Sequence, residues 1–158
     1  MVVIVDRFMR KAIELATENV RTNAGGPFAA VVVRAGSILA AGVNQVTGTL
    51  DPTAHAEIVA IRSACQALGN FQLTGCELYT TCEPCPMCMG AIYWARLVKV
   101  YYAGTRHDAA QAGFDDSSIY DQLALPPASR NIEMIPMMRE QALQAFREWE
   151  QSQTKIRY

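Results

Sequence analysis

Residues 76–82, CELYTTC, have the composition of a β-strand, and after Glu83 the chain passes at once into PCPMCMGAIYWAR at 84–96, which opens on proline and continues in helix formers. A strand that feeds a helix with almost no connection, and is followed by another strand-like run at 97–104 (LVKVYYAG), restricts the chain to packings in which helices lie over a sheet. The other segments extend that alternation. FAAVVV at 28–33, a turn at RAGS and ILAAGVN at 38–44 read as a hairpin. Phe8, Ala12, Ile13, Leu15, Ala16 and Val20 recur near helical spacing and predict an amphipathic helix over 5–20, ending near NAGGP. DPTAHAEIVAIRSACQALG predicts a second helix, with Asp51 as its cap, Pro52 near the first turn and Gly69 as its stop. IEMIPMM at 132–138 predicts a last strand, and REQALQAFREWEQ at 139–151 a charged amphipathic helix. Residues 105–131 read as loop-rich with one helix at 117–124, too long for an idle connection. The expected architecture is α/β: a single domain over 1–158, built as a three-layer αβα sandwich with a mixed five-stranded sheet and helices on both faces.

Three of the five cysteines crowd into CEPCPMC at 82–88. That is a poor disulfide framework and a reasonable metal framework, and it implies reduced thiols. With 158 residues, 51% of them apolar, the chain can bury a core without a disulfide or metal staple. The net charge of −1 disfavours polyanion binding. MVVIVDRFMR lacks the apolar length and cleavage site of a signal peptide, and no apolar run reaches the roughly 18 residues of a membrane span, so a cytoplasmic protein is expected.

Cys85 and Cys88, three apart, would project about 60° from each other on a helix and can grip one ion from its first turn. His55, at the opening of the other helix, can add an imidazole nitrogen. Three protein ligands plus water is the pattern of an open zinc site, in which the metal brings the pKa of its water to about 7. Glu57 discriminates, because a closed structural site has no use for a carboxylate there. His55 and Glu57 lie about 200° apart around a regular helix, so they can share a site only beyond its open end. There Glu57, unbound to metal, can move a proton from water to a ring nitrogen and then to a leaving amine. His-x-Glu with a downstream Pro-Cys-x-x-Cys is the signature of zinc deaminases. Cys82 falls outside it and reads as a wall residue. Taken alone, CPMC would also suit a redox pair, and the cluster a structural zinc. Cys65 and Cys76 read as buried apolar residues, and the methionines of PMM and MCMG as packing. His107 stays open between the surface and a pocket edge.

GVNQVTGTLDPTAHAEIVAIR, CEPCPMCMGAIYWAR and DAAQAGFDDSSIY resemble the bacterial guanine deaminases of the cytidine deaminase-like superfamily over nearly the whole chain. The first two blocks also resemble tRNA adenosine deaminases, and AGFDDSSIY together with the short tail ending in Tyr158 tilts the choice to guanine. The resemblance implies hydrolytic conversion of guanine to xanthine and ammonia with one zinc per subunit. It further implies that Asn44 hydrogen-bonds the purine, Phe28 stacks on it, Ala56 contacts it, and Asp116 contacts it and assists proton transfer. A homodimer is implied too, in which a C-terminal segment of about 139–158 crosses to the other subunit and brings Tyr158 over its pocket. Independently, an Asn amide both donates and accepts, an aromatic ring stacks on any base, and a second carboxylate lets protons move on two sides of a ring. Without the resemblance, Asn44 could simply turn the chain, Phe28 belong to the core, Asp115 and Asp116 sit in a solvated loop or cap, and Tyr158 be an ordinary chain end. Three rivals stay in view. A tRNA deaminase would want a basic strip, and Arg21, Arg34, Arg62, Arg96, Lys99 and Arg106 are scattered. A zinc-stabilised binding module would have no use for Glu57. A redox protein would titrate as a dithiol.

Overall fold

Five of the six residues of β1 (Ala29–Arg34) are buried, and they face two ways. Ala30 and Val32 enter a cluster with Leu78, Ala56, Ala60 and Ala64, whereas Val31 and Val33 enter another with Phe8, Ala12 and Tyr79. An unbroken apolar run with alternating destinations belongs to a strand covered on both faces. The computed structural model describes residues 6–158; Val5, where the helical periodicity begins, lies outside them.

β1 pairs antiparallel with β2 (Ser37–Val43) and with β3 (Cys76–Cys82), and β4 (Lys99–Gly104) runs parallel to β3, in the order β2-β1-β3-β4. The β1–β2 connection puts Ala35 and Gly36 at φ +49° and +75°, the two-residue geometry that matches strand twist. α1 (Asp6–Arg21) supplies Phe8 and Ala12 to one face of the sheet. α3 (Ala56–Leu68) and α4 (Pro86–Trp94) supply Ala56, Ala60, Ile61 and Ile92 to the other. This is the expected αβα arrangement.

Three local expectations need correction. The sheet has four strands among the described residues, not five, because 132–138 forms no ladder. Its Ile132, Met134, Ile135, Met137 and Met138 are exposed, and an apolar run becomes a strand only where a partner edge accepts its backbone. The second helix begins at Ala56 rather than after Asp51, since the Asp51 carboxylate accepts from the Thr53 N–H at 2.8 Å and hydroxyl at 2.7 Å and so closes a turn instead of capping a helix. A short α2 (Val46–Thr49) precedes that turn. Finally, 105–131 is less loop-rich than it reads: α5 (Arg106–Gln111) joins the expected α6 (Ser117–Ala124).

The chain forms two compact units, one running to Asp116 and one from Ser117 to Tyr158. The second holds α6, a single 3-10 turn at Pro127–Ser129 and α7 (Arg139–Gln151), with Asn131 N–H donating to Gln122 Oε1 at 2.7 Å. Among the described residues no helix is long and apolar enough to cross a membrane.

β2 and α3 approach closely. A Cβ at Gly42 would stand 2.4 Å from both the Ala56 carbonyl oxygen and the Ala60 nitrogen. Gly42→Ala should therefore push α3 off the sheet and destabilise the fold by about 1–3 kcal/mol, read as a fall in Tm. An unchanged Tm would show that the joint has slack.

Candidate active site at two helix openings

His55 and Cys85 occupy equivalent positions: each is the N-cap of its helix, with extended backbone at φ −67°, ψ 155° and φ −66°, ψ 169°. Cys85 thus stands just outside α4 rather than within its first turn, and Cys88 lies one turn in. Pro86 at the start of α4 suits a position where the N–H has no intrahelical partner. His55 Nδ1 is 3.6 Å from the sulfur of Cys85 and 3.6 Å from that of Cys88, and the three donor atoms lie within 4.8 Å of one another. Bonds of about 2.05 Å to nitrogen and 2.3 Å to sulfur at tetrahedral angles put the N···S edge at about 3.6 Å, so this donor set fits a zinc ion. One nitrogen and two sulfurs leave a fourth corner.

His55 and Cys85 also line a cavity of about 280 Å³ together with Phe28, Asn44, Glu57, Phe114 and Asp116. Its walls are held from behind. Buried Asn19 donates to the carbonyls of Gly26 at 2.8 Å and Asn44 at 3.0 Å, and a Cβ at Gly25 would lie 2.2 Å from that Asn44 oxygen. The glycine is required by close approach. Asn44 Oδ1 accepts from Val46 N–H at 3.3 Å, so the residue turns the chain and lines the cavity at once. On the far side, Glu83 N–H donates to the Gly104 carbonyl at 2.8 Å, and Glu83 Oε2 accepts from the Arg106 N–H at 3.0 Å. Thr105 and Asp108 close a capping box on α5.

Burial raises the Glu57 carboxyl above its ordinary range. Asp116 is raised as well, first by desolvation and then by negative charge on Cys85. The Cys85 thiol is drawn down to about 4, chiefly by a hydrogen bond from Cys88, while Cys88 is pushed up by the same bond and by burial. Two sulfurs that share one proton in this way are primed to give it up to a cation. His55 is raised chiefly by its hydrogen bond to Cys85. Cys82 lines the cavity, yet burial holds its thiol up at about 11 and its sulfur faces the Thr105 carbonyl at 3.7 Å.

Of the residues singled out in the sequence, Phe28, Asn44, His55, Glu57, Cys85 and Asp116 line one cavity. Ala56 is wholly buried in the core and does not line the cavity. His107 is exposed on α5, and Tyr158 is exposed in the second unit. Sequence reasoning missed Phe114, whose ring stands 4.9 Å from that of Phe28 at 85°. It also missed Glu83 and Arg106; only their place in or beside the quoted blocks could have flagged them.

The model of the cytidine and deoxycytidylate deaminase zinc-binding region matches residues 4–104. The chain belongs to this deaminase family. Guanine deaminase of Bacillus subtilis (strain 168) is 50% identical over 153 residues, 97% of this chain and 98% of that one. The X-ray structure of the Bacillus subtilis guanine deaminase matches with a TM-score of 0.95 at 49% identity, over 98% of each chain. A tRNA-specific adenosine deaminase of Agrobacterium fabrum is 49% identical, but over 76 residues that make 48% of this chain and 50% of that one. This deaminase is zinc-dependent, and the purified protein should carry one zinc per chain by elemental analysis. His55→Ala and Cys85→Ser should each drop that content well below one while Cys82→Ser keeps it; full zinc in Cys85→Ser would remove Cys85 from the ligand set.

Proposed function

We propose that this chain deaminates guanine to xanthine and ammonia with zinc held by His55, Cys85 and Cys88, and that Glu57 moves the protons. The observation that carries this reading is a buried carboxylate beside the donor set but outside it: Glu57 Oε2 lies 3.5 Å from Cys88 Sγ, and Glu57 Oε1 lies 3.2 Å from Thr80 Oγ1. A structural zinc site would gain nothing from desolvating that group. Zinc in this donor set supplies Lewis acidity, which makes hydroxide available from water near neutral pH.

The rest is done by side chains. Phe28, braced edge-on by Phe114, offers a stacking face for the purine. With Asn44 Oδ1 engaged by Val46 N–H, the Asn44 amide nitrogen is left to meet a purine acceptor. Asp116 lines the same cavity, where a carboxylate can accept from guanine N–H groups. The oxygen of water bonds to C2 and the C2–N2 bond breaks. Glu57 takes one proton of the water and delivers it to a ring nitrogen, then takes the second from the hydroxyl now bonded to C2 and passes it to the departing amine, which leaves as ammonia as the C2 carbonyl forms. Raised by burial, the Glu57 carboxyl can both take and return a proton at working pH.

Ammonia release should occur with guanine and be far slower with adenine, cytosine and cytidine. Glu57→Gln should keep zinc and lose at least about a hundredfold in rate, in line with general acid–base contributions. Turnover of cytidine with none of guanine would overturn the substrate, and a Glu57→Gln rate near the parent's would overturn the proton carrier.

The same reading includes a cytoplasmic homodimer in which about 139–158 crosses to the neighbouring subunit and brings Tyr158 to its pocket. Five free cysteines support a reducing compartment. Exposed Phe146, Trp149 and Ile156 along the second unit support a partner for that segment. Light scattering should return twice the chain mass, and deletion of Tyr158 should raise KM for guanine; a monomer with full activity would sink this part.

A further inference from the structure

Thr80 lies in mid-β3, paired with Ala30 on one side and Tyr102 on the other, and is 1% exposed. Strand alternation turns it to the same face as Leu78, which packs among Ala56, Ala60 and Ala64. Valine has the same shape and would fill that position without burying a polar group, so the hydroxyl calls for a reason. The next residue shows the contrast, since Thr81 Oγ1 is taken by the Ala29 N–H at 3.1 Å. The Thr80 hydroxyl instead reaches across from the sheet to α3 and donates to Glu57 Oε1 at 3.2 Å.

We infer that Thr80 is a positioning residue, whose hydroxyl holds the Glu57 carboxylate as a free base beside the donor set and keeps it from becoming a further ligand. The geometry gives the mechanism. Glu57 Oε2 is already 3.5 Å from Cys88 Sγ, and a carboxylate next to a divalent cation is drawn into its coordination sphere unless something else holds it. Coordination would close the corner that water needs. A buried hydrogen bond to Oε1 opposes that rotation, and it acts through a strand whose backbone is fixed by ladders on both sides. The inference rests on the reading of Glu57 as proton carrier.

The test uses the zinc-loaded protein with T80V, T80S and T80A, measuring kcat and KM for guanine, zinc content, and the visible spectrum after exchange of zinc for Co2+. T80V should keep one zinc per chain and KM within about twofold while kcat falls about tenfold or more, the scale of a lost hydrogen bond to a charged group. T80S keeps the donor and should restore kcat to within about threefold of the parent, and T80A should fall with T80V. A parental kcat in T80V overturns the inference, and so does a T80S loss as deep as that of T80V, which would assign the effect to packing. If T80V unfolds or sheds zinc, the T80S to T80A ratio decides: a gap of about tenfold supports the role and equal rates overturn it. If the parent releases no ammonia from guanine, the proposed function fails, and the Co2+ spectra still decide this point. Visible bands that shift in position or intensity in T80V, as exchange of the ligand at the fourth corner requires, support it; identical spectra overturn it.

Discussion

The approach of one imidazole nitrogen to two sulfurs at 3.6 Å imposes more on this chain than any other contact. The donors come from positions 30 and 33 residues apart, on two helices whose openings must face each other within a few ångströms. Both helices pack on one side of the sheet, in the cluster that joins Ala56, Ala60 and Ile61 to Ile92 and Leu78. The small residues of α3 let it settle closely on β2, to the point that Gly42 has no room for a Cβ. That closeness brings His55 within reach of Cys85.

Placing donors at helix openings has an electrostatic consequence. Free N–H groups and the partial positive charge of a helix N-terminus favour thiolates, so the anionic form of the cysteine pair is supported before any cation arrives. Burial acts on Glu57, which is desolvated and raised. One site thus contains one sulfur, that of Cys85, pushed towards losing its proton beside a second sulfur, that of Cys88, and a carboxyl pushed towards keeping theirs. Such a separation is what acid–base chemistry at neutral pH requires. Phe28 and Phe114, edge to face at 85°, add an apolar part to the cavity wall.

Much of this was legible beforehand for definite reasons. Cys76–Cys82 was readable as a strand to the residue, because β-branched and aromatic residues sit in it and prolines follow. The short spacing of Cys85 and Cys88 is local geometry, and local geometry can be read from order along the chain. The start of α3 was misplaced because Asp51 has two uses, a cap and an Asx turn, and only the position of Thr53 decides between them. α5 was missed because RHDAAQ carries no apolar period; its start depends on Thr105 and Asp108 closing on each other and on Glu83 reaching Arg106 from another loop. The run at 132–138 has the composition of a strand and no ladder, since pairing belongs to the partner edge as much as to the segment.

Residue order alone determined the kinds of chemical group and their local spacing: a histidine two before a glutamate, two cysteines three apart after a proline, and alternating strand and helix periods. These are short-range properties, set by residue type and backbone geometry within a few positions. The tertiary structure decided which groups share a space. It put Phe114 edge-on to Phe28, gave Thr80 to Glu57, and left Cys82 on the wall while Cys85 joined His55. Each of those pairings spans between 23 and 86 positions along the chain. Such distances depend on how helices and strands stack, which no local preference encodes.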